Sequence, residues 1–534
     1  MLLSKKIREI FVLMCLFGFI TLAHLSLGYQ LKFIYVFSAF SILILLSNFN
    51  CLIYYTFIFA IGLIGVIYSP VGLTYGYPDV NSIGSLIYTN KNEAIEFISG
   101  LPFFTYLVVL ITIILMLLSL KVKVTLKKSH IGFLSLFFVL SAFWSPVKGY
   151  IKSDFDPDFN LLASGLPEVR FFSDIVESYN EVNSERVRFA EIIKQKDSWQ
   201  PVVEEDKYET YIMVIGESVR KDFMGAYGFP YNNTPWLNQA NAKIFTNYIS
   251  SSASTQLSLT NSLALRNDNS IDLNNSIITL AKKAGFHTYW ISNQGMKSAF
   301  DSPVALIGQQ ADSFNFLKSG SSDDRLYLPD DKLMPYIEKA LMSEKKKKLI
   351  VIHLMGSHPQ ACVRTNGKYD VFLQSEEISC YVKSIANTDK ILSDIVFKAN
   401  GHHSKWTMMY FSDHGLSYID KGTERENLTH NDKNKQSFQV PFFITGSDYH
   451  HREEITAQRS GLHFLTLFSQ WLGIREKNIP DDCNMLSNEK CRGQDNVITF
   501  KDEVKDYDKL DEDFLGMTSS ISFQKNYFKI NYKK

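Results

Sequence analysis

The chain runs to 534 residues, with 55 Lys plus Arg set against 55 Asp plus Glu. That length exceeds one ordinary domain, and zero net charge excludes the basic field that a nucleic-acid-binding chain presents. The balance hides an asymmetry. Before residue 150 the only acids are Glu9, Asp79, Glu93 and Glu96, amid long apolar runs, whereas the chain from 151 onward has ordinary charged, globular composition.

Five apolar runs approach the length that crosses a bilayer, near 11–28, 33–48, 51–69, 103–120 and 131–147, the second and fifth being short. Lys5, Lys6 and Arg8 precede the first run, and Lys121, Lys123, Lys127 and Lys128 lie between the fourth and fifth. With five spans both clusters fall on one side, which the positive-inside rule makes cytoplasmic, and everything beyond about residue 150 is exported. Between Cys15 and Gly28 there is no small-residue cleavage site, so the first run reads as an uncleaved anchor. The stretch 70–102 should face outward. Its polar segment from Tyr88 to Glu96 suits a solvated helix or a docking point for a lipid headgroup.

Residues 151–207 read as a connector. From Pro167 the apolar residues Val169, Phe172, Ile175, Val176 and Tyr179 recur at helical spacing, and a proline suits a helix start. From 208 to about 475 short apolar runs alternate with polar helical stretches, the strand candidates being 210–215, 287–292, 348–354, 406–411 and 438–444. Such alternation predicts a largely parallel sheet with helices on both faces. The expected organisation is a transmembrane helical bundle over 1–150, the connector, and an α/β domain over 208–534.

Cys15 and Cys51 sit in spans. Cys362 and Cys380, like Cys483 and Cys491, are close in sequence and lie in the exported part. The even count and close pairing point to two local disulfides in an oxidising compartment, with four buried thiols as the alternative.

Chemistry concentrates at predicted strand ends, where open α/β sheets bind ligands. Tyr211–Ile215 leads into Gly216-Glu217-Ser218, and Trp406–Phe411 into Ser412-Asp413-His414-Gly415. One Glu, one Asp and one His suit a divalent metal of zinc type, with a hydroxyl as fourth ligand. The hydroxyl-rich turn from Ser250 to Thr260 should open a helix whose free N–H groups favour an anion such as phosphate. His353-Leu354-Met355-Gly356-Ser357-His358 follows another strand, and His430 precedes the last. Singly, each has a bland reading as a cap, a loop or a core histidine. Together, one behind each strand, they indicate a metal-assisted phosphoryl or sulfuryl site.

The segments Val214–Arg220, the Ser/Thr turn, His353–His358, Tyr410–Gly415 and Gln439-Val440-Pro441-Phe442-Phe443 resemble those of the phosphoethanolamine transferases. These are inner-membrane enzymes of the alkaline phosphatase/sulfatase superfamily. The likeness covers the whole chain, and Gly356–Cys362 looks closest to the branch that modifies osmoregulated periplasmic glucans; other branches modify lipopolysaccharide core or lipid A. The resemblance implies an alkaline phosphatase-like α/β domain and one or two zinc ions, with Glu217, Asp413, His414 and Thr255 as ligands. It implies Thr255 as nucleophile, with Ser254 the runner-up, and His358 and His430 as further catalytic groups. It also implies phosphatidylethanolamine as donor and a periplasmic glycan or lipopolysaccharide as acceptor. Thr89 and Glu93 resemble residues near the donor headgroup, and Asn293 and Lys297 lie near a phosphate-contact segment. The family's Pro-Cys pair after the nucleophile turn is replaced here by Thr260-Asn261. A sulfatase would need a C/S-x-P-x-R nucleophile segment, which is absent. A polyglycerolphosphate synthase would share the spans and the threonine but not the cysteine pairs. A non-catalytic membrane-anchored binding or sensor protein would require a broken constellation.

Overall fold

The computed structural model describes residues 2–89, 91–152, 162, 165–192, 196–267, 270–296, 302–319, 328–402 and 404–513. The chain packs as two compact units, Met1–Ile87 with Leu101–Ser184, and Tyr88–Gly100 with Glu185–Lys534.

In the first unit each of the five apolar runs is a helix: Leu2–Ser26, Phe33–Phe49, Cys51–Thr74, Phe103–Ser119 and Lys128–Lys152. Lys6–Ser26, Cys51–Thr74 and Lys128–Ile151 are long and apolar enough to cross a membrane, while Phe33–Phe49 and Phe103–Ser119 are shorter apolar helices. The sequence made the fifth run short. The helix instead continues through Pro146 to Lys152, beyond the apolar stretch. Close packing of the first and third of these helices rests on small residues, as is usual between membrane helices. Gly65 lies against Ala23, and a side chain at Gly72 would collide with the Ser26 carbonyl. The connector helix spans Pro167–Ile192, starting at the proline. Its inner face places Phe171 edge-on against Tyr68 at 4.8 Å and hydrogen-bonds Asp174 to the Tyr29 hydroxyl at 2.8 Å.

The second unit is built on one eight-stranded sheet: β1 Thr210–Gly216, β2 Lys243–Phe245, β3 His287–Met296, β4 Ser313–Ser319, β5 Lys348–His353, β6 Trp406–Ser412, β7 Phe442–Gly446 and β8 Glu453–Ile455. The spatial order is β8-β2-β7-β6-β1-β5-β3-β4. From β6 through to β4 every pairing is parallel, whereas β7 runs antiparallel to both β6 and β2. Central strands buried on both faces explain the unbroken apolar runs. Met213, Ile215, Val351 and Met409 enter one core, and Ile212, Val214, Ile350 and Met408 the opposite one. The expected strand at 438–444 begins only at Phe442, after the turn Lys435–Ser437 and Pro441. β2, β4 and β8 escaped the sequence pattern because they are short or lie toward the sheet's edges. Cys362 pairs with Cys380 and Cys483 with Cys491.

Candidate metal and nucleophile site

Parallel register assembles the site. Gly216 of β1 stands opposite Ser412 of β6, and Ile215 opposite His353 of β5. The next residues along the two strands, Glu217 and Asp413, therefore leave the same sheet edge side by side. Backbone bonds continue the alignment: Asp413 N–H donates to the Gly216 carbonyl at 3.1 Å.

Glu217, Asp413 and His414 are fully buried, and ligand atoms from all three lie within 4.8 Å of one another. His414 Nε2 is 3.3 Å from Glu217 Oε1 and 3.5 Å from Asp413 Oδ2. Thr255 opens the helix Thr255–Leu263, and its Oγ1 lies 3.1 Å from Glu217 Oε2 and 3.3 Å from His414 Nε2.

Surrounding bonds orient each group. His414 Nδ1–H donates to the Gly415 carbonyl at 2.7 Å, which turns the Nε2 lone pair toward the cluster. The amides of Ser218 and His414 hold Asp413 Oδ1 at 3.0 and 2.8 Å. Asp413 Oδ2 is buried and has no hydrogen-bond partner among the described residues. Ser218 adopts the left-handed region at φ 58, which is costly for a non-glycine residue. Three bonds hold it there: its amide to Asp413, its hydroxyl to Glu217 Oε1 at 2.8 Å, and its carbonyl from the Tyr381 hydroxyl at 2.7 Å. Arg220, buried among Asp222, Asp513 and the Leu416 carbonyl, fastens the chain just beyond His414.

The electrostatics follow from crowding two carboxylates in a dry site. Burial, with the Glu217 charge beside it, pushes the Asp413 carboxyl up to about 7. Burial opposes charge on His414, but Asp413 and Glu217 outweigh it and raise the imidazole to about 9. Glu217 is disfavoured as an anion by burial, yet hydrogen bonding and charge from His414 carry it below the carboxylate range. Such a cluster holds surplus negative charge that one proton on His414 only partly balances. The orphaned Asp413 Oδ2, the directed Nε2 and the mixed O/N donor set fit a small divalent cation of zinc type.

The two other expected histidines are close by. The His430 ring centroid is 4.9 Å from His414 and 6.0 Å from His358. Burial and the neighbouring imidazoles hold His430 well below its ordinary value, so it is a neutral base at pH 7. His358 Nδ1 bonds the Pro359 carbonyl at 2.6 Å.

The remaining expected residues are placed differently. Ser254 is the N-cap position of the Thr255 helix, and its side chain makes no capping bond. Asn293 is fully buried, its Nδ2 donating to the Leu328 carbonyl and to Asp330 Oδ1. Thr89 is half-buried in the Tyr88–Gly100 segment that belongs to the second unit. The Glu93 side chain and Lys297 lie outside the described residues. Sequence reasoning missed Asp330, Ser218 and Arg220. Arg220 and Ser218 sat inside a motif already singled out, but nothing in the spacing marked Asp330.

The Sulfatase family matches residues 209–474. Phosphoethanolamine transferase OpgE of Escherichia coli is 36% identical over 497 residues, covering 92% of this chain and 94% of that one. The C-terminal periplasmic domain of EcEptC from Escherichia coli, in complex with Zn, shares the fold with TM-score 0.51 and 20% identity over 58% of this chain and 96% of its own. The integral membrane lipooligosaccharide phosphoethanolamine transferase A of Neisseria meningitidis shares it with TM-score 0.54 and 14% identity, over 87% and 97%. With a third of its residues matched along almost the full length of such a relative, the chain belongs to the phosphoethanolamine transferases of the alkaline phosphatase/sulfatase superfamily.

Proposed function

We propose that this protein moves phosphoethanolamine from phosphatidylethanolamine to a periplasmic glycan, an osmoregulated periplasmic glucan by preference, through a phosphothreonine at Thr255. It works as an inner-membrane enzyme with residues 208–534 in the periplasm. The observation that carries the reading is the convergence of a helix-opening hydroxyl on two carboxylates and an imidazole, with Thr255 Oγ1 3.1 Å from Glu217 and 3.3 Å from His414. Glu217, Asp413, His414 and Thr255 would hold zinc. When bound, the ion supplies Lewis acidity that favours the ionised hydroxyl and draws charge from phosphoryl oxygens.

The chain's own groups do the rest. Thr255 Oγ1 attacks the donor phosphorus, and its proton departs along the hydrogen bond to Glu217 Oε2. The bond from phosphorus to the diacylglycerol oxygen breaks, and that oxygen takes a proton from His358, the other imidazole of the pair, since His430 is held neutral. The first-turn amides of a helix lack intrahelical partners, so those following Thr255 suit a phosphoryl oxygen. In the second half-reaction neutral His430 takes the proton of the acceptor hydroxyl, whose oxygen attacks phosphorus as the Thr255 ester bond breaks; Thr255 Oγ1 recovers its proton from Glu217, and the proton on His430 replaces the one His358 gave to diacylglycerol. One phosphodiester replaces another, so no nucleotide energy is needed.

The test gives purified full-length protein zinc and a fluorescent phosphatidylethanolamine in detergent, and follows release of fluorescent diacylglycerol. Mass spectrometry of periplasmic glucans, core oligosaccharide and lipid A, with and without the protein, identifies the acceptor. Absence of diacylglycerol release, or retained release by Thr255→Ala, contradicts the reading.

A further inference from the structure

Asp330 lies in none of the recognised segments, yet its half-buried carboxylate holds the loop that carries His358. Its Oδ1 accepts the Met355 N–H at 2.8 Å and Asn293 Nδ2 at 2.7 Å, and its Oδ2 accepts the Gly356 N–H at 2.9 Å. Two successive backbone amides therefore wrap one carboxylate, a nest that fixes the backbone between them. The turn so held is sterically demanding. Gly356 sits at φ +49, and a Cβ there would lie 2.9 Å from the Glu217 nitrogen and 3.1 Å from the Glu217 Cβ and carbonyl oxygen. Ser357 N–H then donates to the Glu217 carbonyl at 2.9 Å. The Ser384 hydroxyl meets Ser357 Oγ at 2.8 Å, and Arg364 Nε donates to the His358 carbonyl at 3.3 Å.

We infer that Asp330 is a positioning residue of the transferase site: its carboxylate, seated by Asn293, clamps Met355 and Gly356 so that the loop packs on Glu217 and delivers His358 beside His430. The inference rests on the transferase reading above. It also gives Asn293 a role other than substrate contact. Its Nδ2 donates both of its hydrogen bonds to the 328–330 segment, so it acts at one remove from the reacting atoms. Asp330→Asn keeps the shape but turns an N–H toward a backbone N–H, releasing one arm of the clamp. A shift of the loop by a fraction of an ångström misplaces His358 and leaves the donor-binding surface in place.

The experiment measures diacylglycerol release by the full-length protein in detergent for wild type, Asp330→Asn, His358→Ala and the double variant, with zinc content and melting temperature alongside. Asp330→Asn is expected to lower kcat by about tenfold to a hundredfold. Its donor KM should stay within about twofold. In the His358→Ala background the same change should cost less than about threefold, because the group it positions is gone. A cost of equal size in both backgrounds marks a general folding effect and overturns the inference, as does an unchanged kcat. If Asp330→Asn loses its cooperative melt, Asn293→Ala replaces it, removing only the side-chain donor. A several-fold lower kcat at constant donor KM supports the clamp, and a raised donor KM at constant kcat overturns it. A wild-type protein that releases no diacylglycerol overturns the transferase reading and this inference together; an active wild type with an unaffected Asp330→Asn overturns the inference alone.

Discussion

Replacing Asp413 by Asn should move stability in opposite directions in the metal-free and zinc-loaded protein. Without metal, Asp413 is a carboxyl raised from 3.8 to about 7 by burial and by Glu217. A raised folded-state value means that its contribution is fully present below about pH 4 and is lost as pH rises to about 7. At pH 8 the metal-free native state therefore bears a penalty on the order of 3 kcal/mol, at 1.36 kcal/mol per unit, reduced by the charge shared with His414. Asn carries no such penalty. Against that, its amide loses charge-assisted bonds from the Ser218 and His414 amides, about 1 kcal/mol. Metal-free Asp413→Asn should thus melt above metal-free wild type at pH 8, by a margin that shrinks to nothing as pH falls to about 4. With zinc the order inverts, because a ligand present at about a thousand times its Kd adds about 4 kcal/mol to a protein that binds it. Asn offers no anionic ligand where Oδ2 stood. The assay is differential scanning fluorimetry of full-length protein in detergent, chelated or zinc-loaded, at both pH values. A metal-free variant that melts below wild type at pH 8, or gains as much from zinc as wild type does, refutes the reasoning.

Thr255→Ala should abolish diacylglycerol release while Thr255→Ser retains part of it, and Ser254→Ala should leave most of it; full activity in Thr255→Ala transfers the nucleophile's role to Ser254. Gly356→Ala adds a methyl against the Glu217 backbone in a left-handed residue, at a cost of about 3 kcal/mol in strain and overpacking. Competition with a fluorescent chelator should then report weaker zinc binding, and unaltered zinc affinity and melting temperature would count against the contact. Non-reducing peptide mapping should recover Cys362–Cys380 and Cys483–Cys491 as linked pairs. By loop closure each is worth about 3 kcal/mol. Alkylatable thiols at all four positions would undermine both the bridges and the exported topology.

The chain's amino-acid order alone determined its broad division, because an acid-poor apolar third and a charged remainder obey different solvents. It also determined the central strands, since residues buried on both faces of a parallel sheet leave unbroken apolar runs such as Tyr211–Ile215 and Trp406–Phe411. A carboxylate placed directly after each run then marked Glu217 and Asp413 as candidates. Tertiary structure decided what these candidates make together. The parallel register of β1 on β6 brings Glu217 beside Asp413, and no local pattern encodes which strand neighbours which. β7 turns antiparallel, and β2 and β8 are three residues each, too short for a period to register. The tautomer of His414 depends on the Gly415 carbonyl, and the left-handed Ser218 on a tyrosine more than 160 positions away. Asp330 is the clearest case. One carboxylate among many in the sequence, it becomes a clamp only where folding brings the Met355 and Gly356 amides to it. Spacing along a chain reports local periodicity, whereas hydrogen-bond partners at long range are chosen by packing.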